Sequence, residues 1–540
     1  MFPARPNLRL NRSLPIPRRL SIAQAALVPT ALTAGLLGLT LVPQIGRDPV
    51  VFRSFLGAAA VVMAWAAWIL VGAALRGRSL SIELALRKPH VVQMFAQGSV
   101  LVWWGWYVRA VYDWAPMIVG QIFGAFAGDA LRQWTRRDTC RFGVGPVPVM
   151  FSINLFLWFK PDWFYFQFLM VAVGFLAKEL IRWQKGGKSA HIFNPSSFPL
   201  AVASLLLIAT GTTDITWGPE IASTQYNPPY IFLVIFLASL PGQLLFGVAT
   251  MTWSAVVSAY GFGLLYYAAT GTYYFYDAYI PIAVFLGMHL LFTDPSTSPR
   301  SESGRVLFGV LYGAGCIGLV PVLGALGAPA FYDKLLPVPI LNLSVRYIDR
   351  IATSGFLRNL EPARLVAWTG LTKTRLATAA LWVITFAGIS AVGGVGDDHP
   401  GQYLPFWEEA CAEGSERGCE YLAFMEQVYC DRGSSWACNE RGVTLATRLG
   451  DRSSARGDFQ RACSMGYGPA CENVIRVASG VTSFERTPPS LEELPIVIRG
   501  SKGAVTERDP GALYSLACDR GWRDLCGTVP HTAALGTGTP

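Results

Sequence analysis

At 540 residues, with 52% apolar and only 15% charged side chains, the chain is too apolar for an ordinary soluble protein of its length. Its formal charge of +9 is unevenly spread: 30 basic and 15 acidic residues precede Gly396, and 14 basic and 20 acidic residues follow it. Positive charge set between apolar runs points to the cytoplasmic leaflet of a bilayer and argues against nucleic acid, which calls for a single basic patch studded with aromatic residues.

Residues 1–21 form a basic N-terminus carrying Arg5, Arg9, Arg12, Arg18 and Arg19. The run from Ile22 to Val42 is longer than a usual signal-peptide core and reads as a retained first helix. Runs long enough to cross the hydrocarbon core then recur to about Gly394. The predicted spans are 22–43, 52–74, 95–112, 114–131, 146–160, 163–183, 194–211, 229–248, 250–270, 278–292, 306–326, 329–347 and 376–395. Lys and Arg collect in alternate connections: the N-terminus, Arg76 to Lys88, Arg132 to Arg141, Arg182 to Lys188, Arg300 to Arg305 and Arg346 to Arg375. That bias places the N-terminus in the cytoplasm, and thirteen crossings carry the remainder to the periplasmic face of a bacterial inner membrane.

Two span boundaries carry candidate chemistry. In His191-Ile192-Phe193-Asn194-Pro195-Ser196-Ser197-Phe198, Asn194 can cap a helix whose first residue is Pro195, and the N–H groups of that helix start can receive an anion or a carbonyl oxygen. The plainer reading is an ordinary cap. In Phe292-Thr293-Asp294-Pro295-Ser296-Thr297-Ser298-Pro299-Arg300, Asp294 and the hydroxyls can orient a polar ligand and Arg300 can meet a phosphate. A solvated turn is the alternative. Arg109, Asp129, Glu179 and His289 are polar groups near the bilayer, suited to an ion or quinone path or to snorkelling at span ends. Gly187-Lys188-Ser189 imitates a P-loop ending, but Arg182 stands where the first glycine belongs. Cys140 and Cys316 are isolated and offer no cluster-ligation pattern.

Taken in order, the HIFNP segment at 191–195, the TDPSTSP loop at 293–299 with Gly304-Arg305 behind it, and the run from Asn342-Leu343 to Ile348-Asp349 resemble the NqrB/RnfD family. Its members are membrane subunits of sodium-translocating NADH:quinone reductase and of the Rnf electron-transport complex, and the resemblance covers roughly residues 80–352. It implies a helical subunit that passes electrons through flavin or quinone, possibly coupled to ion movement, within a complex of other membrane subunits. It also implies that Asn194, Pro195, Ser196, Thr224, Asp294, Ser298 and Arg300 contribute to cofactor binding. Family members carry FMN on the threonine of an S-G-A-T motif. Here Thr224 matches that threonine, but Ile221, Ala222 and Ser223 replace the preceding residues, so a noncovalent flavin is expected.

From 397 to 540 the composition changes. Cys411 and Cys419, Cys430 and Cys438, Cys463 and Cys471, and Cys518 and Cys526 repeat one C-x-x-G-x4-C unit, with glycines at 414, 433, 466 and 521. Each unit reads as a helix ending at the first cysteine, a left-handed glycine, and a second helix beginning near the second cysteine. Disulfides suit the oxidising face predicted by topology. Zinc is the alternative, although its knuckles favour closer cysteines. The pattern resembles Sel-like repeats, cysteine-rich relatives of tetratricopeptide repeats, with Thr487-Pro488-Pro489 to Pro495 as an inserted loop.

The expectation is therefore an all-α protein: a polytopic transmembrane bundle over 22–396 followed by a small disulfide-stapled α/α repeat domain. The leading functional reading is an electron-transport subunit using FMN, another flavin or quinone. The alternative is a non-redox membrane scaffold or transporter whose periplasmic repeat domain binds a protein partner.

Overall fold

The computed structural model describes residues 18–185, 188–354, 374–395, 399–500 and 504–527. Arg5, Arg9 and Arg12 of the basic N-terminus lie outside them, as does most of the basic run from Arg346 to Arg375. The chain forms two compact units, one of Met1–Pro228, Leu233–Ala255 and Leu286–Ala379, the other of Pro229–Phe232, Val256–Phe285 and Ala380–Pro540. Residues 256–285 belong to the same unit as the repeats.

Helices dominate, as expected. Three described helices are long and apolar enough to cross a membrane: Ile22–Leu39, Pro49–Leu75 and Glu302–Ala325. These are the helices of a membrane protein. The Pro49–Leu75 helix exposes Val61, Trp68, Val71 and Leu75, an outward apolar face that suits lipid better than water. Its 27 residues extend about 40 Å at 1.5 Å per residue.

Several of the other predicted spans are broken, whereas Ala249–Thr270 forms one helix over the whole of the predicted 250–270. The run 146–160 is helical only over Pro146–Asn154, and 278–292 only over Ile282–Leu290. The run 329–347 divides into a 3-10 turn, Ala330–Lys334, and the helix Pro337–Ala352. Proline explains several early stops and starts, since it cannot donate to the preceding turn.

Local chemistry starts the long helices where the sequence changes character. Ser21 and Gln24 close a capping box on Ile22–Leu39. Asp48 accepts from the Val50 and Val51 N–H groups, with Pro49 at the first helical position. The Ile22–Leu39, Pro49–Leu75 and Ala115–Arg136 helices pack together through Ala25, Ala66, Ala73, Ala127 and Ala130. Small side chains let helix backbones approach closely. Phe55 nests on Gly120, where an added Cβ would meet its ring at 2.3 Å.

Four of the basic connections carry strands that hydropathy did not reveal. Ser81–Leu84 pairs antiparallel with Arg18–Arg19 and parallel with Thr139–Phe142. Arg182–Lys185 pairs antiparallel with Lys188–His191. Cys140, on the Thr139–Phe142 strand, is buried.

The repeat region follows the cysteine rule closely. Disulfides join Cys411 to Cys419, Cys430 to Cys438, Cys463 to Cys471 and Cys518 to Cys526. The enclosed glycines have φ of 93°, 100°, 95° and 95°, left-handed values that close the first helix of each unit; a second helix follows in the first three units, whereas after Gly521 the described chain makes only the 3-10 turn Arg523–Leu525. Leu404–Ala412, Glu416–Asp431, Ser435–Thr444, Arg452–Ser464 and Gly468–Ala478 pack in succession. Their core contains Leu404, Trp407, Leu422, Tyr429 and Trp436.

Candidate functional sites

In the first unit, Asn342 joins the two loops singled out by sequence. Its Oδ1 accepts from the Asn194 N–H at 3.1 Å, and its Nδ2 donates to the Thr297 carbonyl at 3.3 Å. Asn194 Nδ2 donates to the Leu291 carbonyl at 2.8 Å. His191 Nε2 lies 3.2 Å from Asp294 Oδ2, and Asp294 Oδ1 accepts from the Ser296 N–H at 2.9 Å. Burial opposes ionisation of Asp294, but His191 and the Ser296 N–H outweigh it and hold the carboxyl below its usual value.

The expected anion-receiving helix start is already engaged. Asn194 Oδ1 accepts from the Ser196 N–H at 2.9 Å and the Ser197 N–H at 3.2 Å. The helix itself begins at Ser197 rather than Pro195. Gly174 lets the Pro195 carbonyl come close; a Cβ there would meet it at 2.5 Å. Ser298 is buried. Arg300 donates its backbone N–H to Asp349 Oδ1 at 2.9 Å, while its side chain belongs to an exposed residue.

Thr224 does not join this cluster. The Ser197–Thr210 helix separates the Asn194 end from the Thr224 end by about 21 Å along its axis. Thr224 ends the helix Gly218–Thr224, and its Oγ1 donates to the Ile221 carbonyl at 3.2 Å. Between the Pro49–Leu75, Ala115–Arg136 and Tyr165–Leu180 helices lies an apolar cleft of about 620 Å³ that contains Trp65, Phe168 and Phe175 and reaches Arg53 and Arg132. Its lining suits an apolar ring or isoprenoid tail.

Of the other polar candidates, Asp129 and Glu179 meet through Arg132, while Arg109 makes a separate ion pair. Arg132 joins Asp129 and Glu179, with Arg136, Arg137 and Arg182 also near Glu179. Arg109 is exposed and lies 3.8 Å from Asp113, in keeping with snorkelling. His289 is buried. Sequence reading missed the Asp333–Lys334 pair, buried at 3.3 Å with the ammonium 4.2 Å from the Phe331 ring. Two charges inside an apolar run were the available signal.

The second unit contains a groove of about 1530 Å³, lined by residues from Pro400 to Leu525. The 487–495 insertion forms part of its wall instead of standing free. Trp436 Nε1 donates to the Thr487 carbonyl at 2.7 Å, and Glu493 Oε1 accepts from the Trp436 N–H at 2.9 Å. Asn473 Oδ1 accepts from the Glu485 N–H at 2.7 Å, and Asn473 Nδ2 donates to Asn439 Oδ1 at 2.9 Å.

Arg486 pairs with buried Glu440 at this wall. Glu408, from the preceding helix pair, has its carboxylate 4.0 Å from Arg486. Burial pushes the Glu408 carboxyl up to about 7, against the lowering effect of Arg486 and with help from Glu440 and Asp524. Burial, reinforced by Glu440, raises Glu426 well above the ordinary carboxylate range. None of these three glutamates was a sequence candidate, because no local motif links them.

A shelf of aromatics from 273–279 completes the same unit. Tyr276 stacks on Tyr421 at 4.0 Å, Tyr273 lies 4.6 Å from Phe406, and Arg417 donates to the Tyr274 carbonyl at 2.6 Å. Gly401 is required at its contact with this shelf, since a Cβ would lie 1.9 Å from the Tyr276 carbonyl oxygen. Buried His399 accepts from the Gly401 N–H at 3.2 Å, and burial lowers its pKa to about 4.

Among the described residues, no group of three or more His, Cys, Asp or Glu side chains could hold a metal ion. No family model, characterised protein or solved structure was found to match the chain.

Proposed function

We propose that this protein is a membrane-anchored docking protein whose disulfide-stapled repeats, on the periplasmic side of a bacterial inner membrane, hold a segment of a partner protein. The observation that carries this reading is the large repeat-domain groove, with aromatic and charged walls fixed by disulfides and by the 485–493 strap. Concave repeat surfaces are well suited to extended partners because successive helix pairs add binding surface along one direction. A photoreactive amino acid at Thr487 in the full-length membrane protein should give an adduct with one identifiable periplasmic protein. The same probe at exposed Ile475, on the Gly468–Ala478 helix and outside the groove lining, should not. Equal labelling at both positions, or none at Thr487, defeats the docking reading.

A second reading is favoured by the Asn342 junction. It gathers the segments that carry the NqrB/RnfD resemblance, and the same unit has an apolar cleft suited to quinone. On this reading the chain is an electron-transport subunit that works beside other membrane subunits and binds flavin noncovalently. The Thr224 hydroxyl is engaged by its own helix, which supports noncovalent attachment. Flavin released by acid precipitation of detergent-purified protein is the expected result. A fluorescent band that survives denaturing electrophoresis and disappears in Thr224→Val would show covalent attachment instead; absence of flavin from protein purified with its native lipids would end the flavin reading.

A further inference from the structure

The groove contains an imbalance of charge that identifies the kind of segment it can hold. Glu408, Glu426 and Glu440 come from three successive helices, Leu404–Ala412, Glu416–Asp431 and Ser435–Thr444. All three act electrostatically on the single guanidinium of Arg486. Glu440 is well matched, accepting from Arg486 on one oxygen and from Asn439 Nδ2 at 3.2 Å on the other. Glu408 is not: Arg486 is 4.0 Å away, outside hydrogen-bond range, and the Glu408 side chain keeps 33% of its surface open.

Glu426 supplies an independent sign. It is 1% exposed, its Oε1 accepts from Thr444 Oγ1 at 3.1 Å, and its Oε2 has no hydrogen-bond partner among the described residues. Thr444 and Glu440 both line the groove. A buried carboxyl oxygen without a partner is costly, and three carboxylates facing one guanidinium must gain protons or another cation.

Other charges do not remove the deficit. Asp524 adds negative charge near Glu408. Arg523 is 3.9 Å from Glu409, and Arg520 donates to the Ile498 carbonyl while facing the Tyr403 ring. Arg448 is an exposed lining residue, and Asp519 lines the groove with the opposite charge.

We propose that the groove binds a lysine or arginine side chain carried on an extended segment of a partner protein, with Glu408 as its principal carboxylate beside the Glu440–Arg486 pair, and with buried Glu426 behind that lining. The cation replaces protons that otherwise neutralise this cluster, so binding strengthens as pH rises and releases protons. No covalent chemistry is involved. This inference rests on the docking reading and specifies the chemistry of the docked segment.

Fluorescent pentalysine provides the test with full-length protein in uncharged detergent, where lipid headgroups do not compete. If the ionised Glu408 form is the binding form, affinity rises about tenfold between pH 6 and pH 8, as its pKa of about 7 requires. Glu408→Gln should weaken binding at pH 8 about tenfold and remove most of the pH dependence; Glu408→Asp should retain it. Proton release in weak buffer at pH 7 should accompany binding in the wild type and fall in Glu408→Gln. Pentalysine binding that is independent of pH and unchanged in Glu408→Gln overturns the inference. So does preferred binding of pentaglutamate or a neutral glycine-serine peptide.

Crosslinking from Thr487 separates this failure from failure of docking itself. A partner adduct unaffected by Glu408→Gln preserves docking and rejects the cation site. No adduct and no pentalysine binding rejects both. An adduct to this chain's own residues 528–540 rejects a partner as the occupant.

Discussion

Glu426 illustrates how environment, rather than residue type, decides charge. Its carboxyl is buried beside Glu440, and both influences favour the neutral acid. An acid whose folded pKa lies above its unfolded value binds more protons when folded. The resulting stabilisation is fully present below the unfolded pKa and is lost as pH rises through the folded one. For Glu408 this window runs from the ordinary carboxylate value of 4.5 to about 7, and Glu426 is raised in the same direction. The full-length protein in detergent should therefore show a repeat-domain melting transition that falls from pH 5 to pH 8. Glu426→Gln should flatten that fall; an identical slope in wild type and variant would remove Glu426 from the account. None of this was legible from Glu426 itself, since its burial depends on three helices brought together. Asn194 was more legible because Asn-Pro before an apolar run has a direct capping rationale. Its tie to Asn342 was not, because that contact crosses 148 sequence positions.

At the scale of elements, the cysteine hairpins were legible because every necessary interaction is local. The cysteines of each pair stand eight positions apart, and a left-handed glycine reverses the chain between them. The aromatic shelf from 273–279 was hidden, because its partners lie more than a hundred positions away and Tyr or Trp in an apolar chain equally suits a membrane interface. The strands at 81–84, 139–142, 182–185 and 188–191 were also hidden by their shortness. Differences in burial predict how the staples respond to reductant. Cys430 and Cys438 are buried, whereas Cys526 is exposed. With increasing membrane-impermeant phosphine, thiol trapping and peptide mapping should find Cys518–Cys526 opened first and Cys430–Cys438 last. Removing the latter pair as Cys430→Ser/Cys438→Ser should cost about 2 kcal/mol through the greater freedom of the unfolded loop. Simultaneous opening of the exposed and buried bridges under native conditions would count against this order.

For the whole molecule, the decisive question is the face on which the cysteine-rich chain resides. Three long apolar helices establish membrane character, but their number alone does not give the orientation of shorter apolar segments. Hydropathy gave thirteen runs because it registers apolar composition without registering helix breaks, and the prolines and 3-10 turns divide several of them. The positive-inside pattern and the disulfides nevertheless lead to one common expectation. Arginine-rich connections favour the cytoplasm, while stable disulfides favour an oxidising compartment. A cytoplasmic N-terminus and periplasmic repeats satisfy both. In intact spheroplasts, a membrane-impermeant maleimide should leave the eight repeat cysteines unmodified until impermeant reductant is added, and then label them without lysis. Buried Cys140 and Cys316 provide a contrast because neither is in a disulfide. Labelling of the repeat cysteines without reductant would reject the disulfides. Labelling only after the membrane is opened, with reductant present throughout, would instead place the repeats in the cytoplasm and overturn the proposed periplasmic docking role.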